Sequence, residues 1–390
     1  MKMMKLSSLG CFRNGMNYEK SAVTDGYKMI GVADFGNRVF PDIGSLSEID
    51  SSIVSEENLL QNGDILFVRS NGNKNLVGRS MLMRNIEEPI CYSGFCILLR
   101  PNREIVLPEY LFYALHSPFC RKQYSYSQQT NITNLSQTVL GAVDVPVPNI
   151  ETQSNLSEIL FNLDQKLALN SQLCTELESM AKTLYDYWFT QFDFPNAEGK
   201  PYRSSGGEMV WNDQLKREIP MGWVVTTMSA LTTVLTGKED ANFSTPNGNY
   251  KFFTCAQEAI FCDTPAFSGH AVLIAGNGDF NVKHYTGDFN AYQRTYVLIP
   301  KEAKHYAVMY IAAQKRIQAF KQGSNGSIVK FITKGDVESI PIILPDNDVY
   351  LDTLNRILEK IEHCERENNE LTKLRDWLLP MLMNGQATVE

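Results

Sequence analysis

The sequence predicts an α+β protein, with two α/β domains separated by two long helices that form an antiparallel coiled coil. Two observations lead to this prediction. Apolar residues recur at coiled-coil spacing in two long segments, and the same order of strands, helix and loop precedes each segment. The chain is therefore expected to be an internal repeat whose halves are related by a pseudo-twofold axis.

The two long segments have the pattern of paired helices. The first extends from about Glu151 to Phe189 and the second from about Asp348 to Leu379. On one face of each, apolar residues recur in steps of four and three. A 3.5-residue period sustained over four heptads is typical of a coiled coil. Pro380 and Gly385 are expected to end the second helix. The alternative is two separate surface helices, each packed on its own domain.

One antiparallel register fits both helices. Each apolar seam holds an asparagine and a cysteine four residues apart, in opposite order: Asn170 precedes Cys174, whereas Cys364 precedes Asn368. Antiparallel helices place Asn170 opposite Asn368 and Cys174 opposite Cys364, and a buried asparagine needs such a polar partner. The guanidinium of Arg375 is expected to reach water. The same register pairs Leu160 with Leu378, Leu163 with Arg375, Leu167 with Leu371, Leu177 with Ile361, Ala181 with Ile357, Leu184 with Leu354 and Trp188 with Tyr350.

The segments before the helices repeat one order of elements. Leu9 and Gly15 match Leu231 and Gly237 at an offset of 222 residues. Each half has two strand-like runs, a helix-like stretch, a polar loop and a proline-punctuated β run: 64–68, 91–99, 108–117, 127–131 and 143–148, then 271–275, 292–299, 304–322, 323–327 and 340–345. We predict the boundaries 1–150 for the first domain, 151–195 for the central helix, 196–222 for a linker, 223–345 for the second domain and 346–390 for the C-terminal helix.

Composition is that of an ordinary globular protein. The 390 residues are 43% hydrophobic and 21% charged, with no membrane span, signal peptide or cysteine spacing typical of a metal site. We expect a cytoplasmic protein with reduced thiols. The net charge of −8 weakly disfavours nucleic-acid binding, but segments 151–195 and 346–390 carry −5 each. The predicted domains carry 0 and +2, so a local basic surface on them can still attract phosphates.

Several motifs resemble the specificity subunits of type I restriction–modification enzymes. A central group and a C-terminal motif carry most of the resemblance, and the glycine motif of the second domain resembles one type of target-recognition domain. The motifs are Leu-Tyr-Asp-Tyr-Trp-Phe at 184–189, Phe-Asp-Phe-Pro at 192–195, Gly-Lys-Pro-Tyr-Arg-Ser-Ser-Gly-Gly at 199–207, Glu-Ile-Pro-Met-Gly-Trp at 218–223, Leu-Arg-Asp-Trp-Leu-Leu-Pro at 374–380, and Gly-Asn-Gly at 276–278 with Tyr-Gln-Arg-Thr at 292–295.

The resemblance implies a subunit that directs chemistry performed by its partners. Each target-recognition domain would read one half of a bipartite site in double-stranded DNA. The helices would act as spacers and would dock two methyltransferase subunits, and restriction (translocase–nuclease) subunits would join that complex. The chain itself would have no catalytic residue and bind no cofactor, whereas the methyltransferase is expected to use S-adenosylmethionine.

Polar loops in both halves offer side chains suited to DNA recognition. Arginine pairs with guanine, asparagine or glutamine pairs with adenine, and lysine binds phosphate. Each such residue is equally typical of a solvated turn. We predict DNA contacts by Arg69, Asn71, Asn73, Lys74, Arg79, Gln128, Gln129 and Asn131 in the first domain, and by Asn277, Asn281, Lys283, His284, Gln293, Arg294, Ser324, Asn325 and Lys330 in the second.

Enzymatic and metal-binding alternatives have weaker support. The Gly-Asn-Gly motif lacks the third glycine of a dinucleotide fingerprint, and Gly237-Lys238 lacks the first glycine of a P-loop. His116 and Cys120 could form a base and a nucleophile, but structural roles in a helix are expected. No metal site is expected. Three other functions stay open: the recognition subunit of a related type II system, a hydrolase with two repeated domains, and a coiled-coil adaptor.

Overall fold

The chain is described here by a computed structural model covering residues 2–19, 22–36, 38–73, 76–125, 134–322 and 331–384. It divides into two compact units. Unit 1 comprises Met1–Asn170 with Glu367–Glu390, and unit 2 comprises Ser171–Arg366. Both long helices cross the division, so each unit contains one part of each helix.

Unit 1 combines short strands with short helices and parts of the long ones. Its described strands are β1 (Lys2–Lys5), β2 (Gly10–Asn14), β3 (Tyr27–Ile30), β4 (Ser47–Ile49), β5 (Ile65–Val68), β6 (Ser80–Leu82), β7 (Ile90–Tyr92), β8 (Cys96–Pro101) and β9 (Asp144–Val147). Its described helices are α1 (Pro108–His116), α2 (Pro118–Ser125), α3 (Gln137–Gly141) and the first part of α4 (Ile150–Tyr185), which ends in unit 2 with a π-helical turn at Asp186–Thr190.

Unit 2 has a larger sheet and the second part of α4. Its described strands are β10 (Met209–Asn212), β11 (Arg217–Pro220), β12 (Val224–Thr227), β13 (Thr232–Thr236), β14 (Tyr250–Phe253), β15 (Ile260–Cys262), β16 (Phe267–Ala275), β17 (Val282–Ala291), β18 (Thr295–Pro300) and β19 (Pro341–Leu344). Its described helices are α5 (Met228–Leu231), α6 (Tyr306–Gln322), α7 (Lys334–Glu338) and the first part of α8 (Val349–Met383).

The two units share one sheet topology, which is the internal repeat in structural form. In unit 2 a single sheet has the order β13-β18-β16-β17-β14-β15. In unit 1 the same order is divided between two sheets, β2-β8-β5-β6 and β4-β3-β7. Each unit also pairs its early strand with its last one antiparallel, β1 with β9 and β12 with β19. The sequence offset between Gly15 and Gly237 therefore reflects a repeated chain path.

A central strand in each unit separates two apolar cores. Alternate residues of a strand point to opposite faces. In β5, Ile65 and Phe67 pack into one core, whereas Leu66 and Val68 pack into another. β16 repeats this arrangement with Val272 and Ile274 on one face and Ala271 and Leu273 on the other. The nearly continuous apolar sequences of β5 and β16 are thus explained, because both faces of each strand are buried.

Two of the predicted runs contain a turn, so the described strands there are shorter than the runs, whereas β16 is longer than the run 271–275 that predicted it. Residues 91–99 were expected to form one strand, but β7 ends at Tyr92 and β8 begins at Cys96. In the other half, β18 begins at Thr295 rather than at 292. In both places the intervening residues form a tight turn, closed by hydrogen bonds from Cys96 N to Ser93 O and from Thr295 N to Tyr292 O.

Within unit 1 the long helices meet through the predicted asparagines. Asn170 Nδ2 donates to Asn368 Oδ1 at 3.0 Å and to Glu367 Oε2 at 2.7 Å, and Asn170 is only 3% exposed. The Arg375 side chain is 24% exposed, so its guanidinium reaches water only in part. It also forms an ion pair with the buried Asp164, which the sequence did not predict, because that carboxylate needs a partner inside the unit.

Within unit 2 the second parts of the same helices also pack together. The rings of Trp188 and Tyr350 are 5.4 Å apart in edge-to-face geometry. Cys174 Sγ lies 3.8 Å from Ile361 O, and Cys364 is buried in the same seam. Contacts in each unit therefore agree with antiparallel helices in the predicted register.

Two expectations about chain ends and connections need correction. Pro380 does not end the C-terminal helix, which continues to Met383, because Leu382 and Met383 are buried in a core of unit 1. This burial outweighs the backbone hydrogen bond that proline cannot donate. Gly385 lies outside the described residues. Segment 196–222 is more ordered than a plain linker, since β10 and β11 form a hairpin within it.

Candidate nucleic-acid interface

One edge of the unit 2 sheet brings together several of the predicted DNA-contacting residues. We call it the unit 2 rim and define it as residues 238–239, 276–278, 292–294 and 331–332. Three main-chain hydrogen bonds join its turns: Gly276 N to Arg294 O at 2.9 Å, Ile332 N to Gly276 O at 2.8 Å, and Gln293 N to Glu239 O at 2.9 Å. The turn after β16 and the turn before β18 are thereby held side by side.

Unit 1 has an equivalent edge, which we call the unit 1 rim and define as residues 16, 69–73, 93–95 and 134–135. Arg69 N donates to Phe95 O at 2.8 Å, Leu135 N donates to Arg69 O at 2.8 Å, and Gly94 N donates to Met16 O at 2.7 Å. These bonds correspond one by one to those of the unit 2 rim. By this correspondence Arg69 is equivalent to Gly276, and Phe95 is equivalent to Arg294.

A glycine in each unit permits the close approach that forms the rim. A Cβ on Gly15 would lie 2.1 Å from Ser93 O, and a Cβ on Gly237 would lie 1.9 Å from Ala291 O. No side chain fits at such distances, so only glycine is tolerated there. Both glycines donate from N to the strand that follows the turn, to Cys96 O and Thr295 O respectively, at 3.2 Å. The matched glycines of the sequence thus have a shared structural reason.

The side chains of the unit 2 rim suit the reading of bases. Gln293 and Arg294 are exposed, and Asn277 is half-buried at the turn after β16. Gly278 has a φ of +72°, a backbone conformation that favours glycine in this turn. The rim therefore presents an arginine, a glutamine and an asparagine within one short stretch of surface, and these are the residue types that pair with guanine and adenine.

Four predicted residues of unit 1 that the structure describes, Arg69, Asn71, Asn73 and Arg79, lie at or beside its rim. Asn71 Oδ1 accepts a hydrogen bond from Asn73 N at 2.7 Å, which shapes a local turn and leaves Asn73 exposed. The guanidinium of Arg69 is 3.4 Å from Gly94 O, and Arg79 Nη1 donates to Gly36 O at 3.3 Å. Asn71 therefore has a structural role, and its contact with DNA stays a prediction.

Three predicted residues of the second domain make contacts inside unit 2 instead of lying on its rim. Asn281 is 8% exposed, and its Nδ2 donates to Cys255 O. Lys283 Nζ donates to Thr254 O at 2.9 Å, and burial lowers its pKa. The side chain of His284 is 6% exposed. The expectation of direct DNA contact is corrected for His284 and Asn281, because a buried side chain cannot reach a base edge.

His284 belongs to a buried polar network around Glu362 of α8. His284 Nδ1 lies 3.0 Å from Glu362 Oε1, and the Tyr306 hydroxyl donates to the same oxygen at 2.7 Å. Burial alone would raise the pKa of Glu362. Hydrogen bonds from His284, Thr286 and Tyr306 outweigh burial and hold the pKa of Glu362 below its usual value. The network fastens β17 to the long helix.

The remaining predicted contact residues, all in the polar loops or beside Asn73, lie outside the described residues. They are Lys74, Gln128, Gln129, Asn131, Ser324, Asn325 and Lys330.

Sequence reasoning missed two exposed aromatic residues on the rims. Phe95 in the unit 1 rim is 59% exposed, and Phe331 in the unit 2 rim is 64% exposed. Phenylalanine can contact the methyl group of thymine in the major groove. The sequence holds a signal for Phe95, because it follows Gly94 at the turn between two buried runs, but the prediction of a single strand over residues 91–99 conceals that turn.

The described residues offer little support for catalysis. Burial lowers the pKa of His116 to about 4 and raises the pKa of Cys120 to about 11, which is the opposite of an activated base and thiolate pair. No group of three or more His, Cys, Asp or Glu residues in the described ranges is arranged to hold a metal ion. Among the same residues, no helix is long and apolar enough to cross a lipid bilayer.

Comparisons with known proteins agree with the geometry. A family model described as the type I restriction modification DNA specificity domain matches residues 1–179 and 220–373. The chain is 35% identical over 180 residues to the EcoDI specificity subunit of Escherichia coli, an alignment that covers 44% of this chain and 40% of that protein. It is 22% identical over 410 residues to the HindI specificity subunit of Haemophilus influenzae, which covers 84% of this chain and 87% of that protein.

A solved structure has the same fold. The S subunit of a type I restriction–modification system from M. genitalium superposes with a TM-score of 0.58 at 16% identity, over 98% of this chain and 95% of that one. At this identity the likeness concerns the fold alone.

Proposed function

Because the chain belongs to the type I restriction–modification DNA specificity domain family, we propose that it is the DNA-recognition and scaffold subunit of a type I restriction–modification complex. The observation that carries the proposal is the pair of rims. Each unit holds two polar turns side by side through the same three main-chain hydrogen bonds, while the side chains on those turns differ. Each rim would therefore read its own half of a bipartite site.

Base reading would fall to the exposed side chains of each rim. In unit 2, Arg294 suits a bidentate contact with guanine, and Gln293 or Asn277 suits adenine. In unit 1, Asn73 supplies the amide, Arg69 lies at the turn, and Phe95 adds an apolar contact. The rigid sheet behind each rim lowers the entropy cost of holding these side chains in place.

The chain is proposed to assemble partners rather than to perform chemistry. Two methyltransferase subunits would dock on the long helices, and restriction subunits would join that complex. The methyltransferase would use S-adenosylmethionine, so this chain would bind no cofactor. A DNA substrate implies action in the cytoplasm. The functional division would follow residues 1–150 and 223–345 for recognition, 151–195 and 346–390 for spacing, and 196–222 for connection.

Site-resolved methylation tests the proposal. The methyltransferase subunit is mixed with genomic DNA, with or without this chain, and methylated adenines are mapped by single-molecule sequencing. We expect methylation at a two-part site with a fixed unspecified gap only when the chain is present. Methylation of the same sites by the methyltransferase alone would refute the proposal.

An exchange of one domain tests whether the halves read independently. Replacement of residues 223–345 by the corresponding domain of another specificity subunit should change one half-site and leave the other intact. The matched control replaces residues 1–150 instead and should change the opposite half-site. A change of both half-sites in either hybrid would contradict two separate readers.

A further inference from the structure

A cavity in unit 1 is lined by four arginine side chains. Its volume is about 320 Å³, and Arg38, Arg79, Arg121 and Arg375 all contribute to its wall. We call it the arginine pocket and define it by these four residues. In a chain with a net charge of −8, such a convergence of guanidinium groups requires an explanation beyond general solubility.

The charges around the pocket leave a positive excess. Two carboxylates, Asp164 and Asp376, also line it, and both pair with Arg375. Arg38 pairs with Asp42 outside the wall, but both side chains are about half exposed, so this pair is weak and easily exchanged. The guanidinium of Arg121 has no carboxylate partner among the described residues that line the pocket, so the four lining arginines exceed the two lining carboxylates in charge.

Two further residues of the pocket wall, His116 and Ser80, add hydrogen-bonding groups without negative charge. His116 lines the pocket, and its low pKa leaves the imidazole neutral at pH 7. Burial is the main cause of that low pKa, and the charges of Arg121 and Arg375 add to it. Ser80 Oγ lies 3.4 Å from His116 Nε2 and provides a hydroxyl at the same wall.

The position of the pocket relates it to DNA. Val68 N donates to Arg79 O at 2.8 Å, and Val68 is followed directly by Arg69 of the unit 1 rim. The pocket therefore lies beside the proposed base-reading edge. Arginine is suited to phosphate because its planar fork can donate two parallel hydrogen bonds to two oxygens. Contacts of this kind orient a protein on DNA without reading its sequence.

We propose that the arginine pocket binds a phosphate group of the DNA backbone next to the bases that the unit 1 rim contacts. The inference rests on the proposed DNA-recognition function. Arg121 and Arg38 are exposed and would reach the phosphate from solvent, whereas Arg375 links the site to α8 through its ion pair with Asp164.

The experiment compares Arg121→Gln and Arg38→Gln with wild type in the full chain. Arg103→Gln is the matched control, since Arg103 is exposed in the same unit but lies before α1, whereas the pocket lies at the other end of that helix. Binding is measured over a range of salt concentrations on a duplex with the mapped site and on a scrambled duplex. Loss of one phosphate contact should reduce the slope of log K against log salt concentration by about 0.9.

The expected signature separates phosphate contacts from base contacts. Arg121→Gln and Arg38→Gln should each weaken binding to the mapped duplex and to the scrambled duplex by the same factor. Arg103→Gln should change neither the salt slope nor the affinity. An unchanged slope in both pocket variants would overturn the proposal. If the wild-type chain, alone or with its methyltransferase, bound both duplexes equally, the proposed function would fail, yet the slopes would still report on the pocket.

A second measurement distinguishes DNA from a free phosphate as the ligand. Inorganic phosphate is added to the full chain at constant ionic strength, and the shift in Tm is compared for wild type, Arg121→Gln and Arg103→Gln. A wild-type shift that Arg121→Gln abolishes, together with unchanged DNA slopes, would assign the pocket to a free phosphorylated molecule and overturn the DNA assignment.

Discussion

Arg375→Met is the sharpest test of the packing in unit 1. Arg375 Nη1 lies 2.9 Å from Asp164 Oδ1, and the Asp164 side chain is only 2% exposed. The Tyr113 hydroxyl donates to the other carboxylate oxygen at 2.8 Å. Methionine keeps most of the length of the arginine but removes its charge. The carboxylate of Asp164 is then left buried with one hydrogen bond.

The size of the effect follows from the choices open to that carboxylate. Removal of one partner of a buried ion pair costs about 3–5 kcal/mol. Asp164 can avoid the charge by taking up a proton, at about 1.4 kcal/mol for each pH unit above its ordinary pKa of about 3.9. This limits the cost to about 4 kcal/mol at pH 7 and makes it about 2 kcal/mol smaller at pH 5.5. Burial raises the pKa of Asp164 even beside Arg375, so the substitution adds to an existing penalty.

Urea denaturation of the full chain, followed by far-ultraviolet circular dichroism at pH 7 and pH 5.5, measures this loss. Arg356→Met is the control, because Arg356 is exposed on the same helix, and its effect should stay within about 0.5 kcal/mol. The double variant Asp164→Leu/Arg375→Met should regain most of the lost stability. A loss below about 1 kcal/mol for Arg375→Met, or one that is equal at both pH values, would refute the reasoning.

Three further predictions concern the helices and the rim. Glu362→Gln should destabilise the chain at neutral pH, and Glu359→Gln, at an exposed position, should not. The lowered pKa of Glu362 means that its stabilising effect is fully present above about pH 4.3 and is lost as pH falls through the lower folded pKa, so the stabilities of wild type and Glu362→Gln should converge as the solution is made more acidic. Asn170→Ala should cost roughly 1–3 kcal/mol in urea denaturation, because the half-buried Asn368 loses the hydrogen bond that Asn170 donates to its Oδ1. Asn170→Leu/Asn368→Leu should be more stable than Asn170→Ala, and equal stability of the two variants would contradict a paired asparagine layer. Arg294→Ala should relax one base position of one half-site at about 1–3 kcal/mol in competition binding, and uniform weakening on all sequences would instead indicate a phosphate contact.

The helical part of the fold was predictable from sequence for a physical reason. A coiled-coil seam repeats every 3.5 residues, so many positions agree on one register, and a polar position such as Asn170 excludes the neighbouring registers. The helix end at Pro380 was not predictable, because it depends on the burial of Leu382 and Met383 in a core made by distant parts of the chain.

The rims were predictable in position but less so in detail. Polar turns after buried strands indicated where Arg69 and Arg294 lie. The burial of His284 was not predictable from sequence. His284 lies near the start of the ten-residue strand β17, which packs against α8, and these segments are far apart in sequence. Phe95 was overlooked because an apolar residue in a tight turn resembles the interior of a strand when only composition is read.

The rim hydrogen bonds involve main-chain atoms only, and this has a consequence for inheritance. A mutation that replaces the side chain of Phe95 or Arg294 removes none of the three matched main-chain hydrogen bonds that hold the turns together. The DNA sequence that is recognised can therefore change by mutation while the fold is kept, and the two half-sites can change separately. A lineage that carries this chain can acquire a new DNA target through single substitutions. The fold tolerates each substitution before the partner subunits act on the new site.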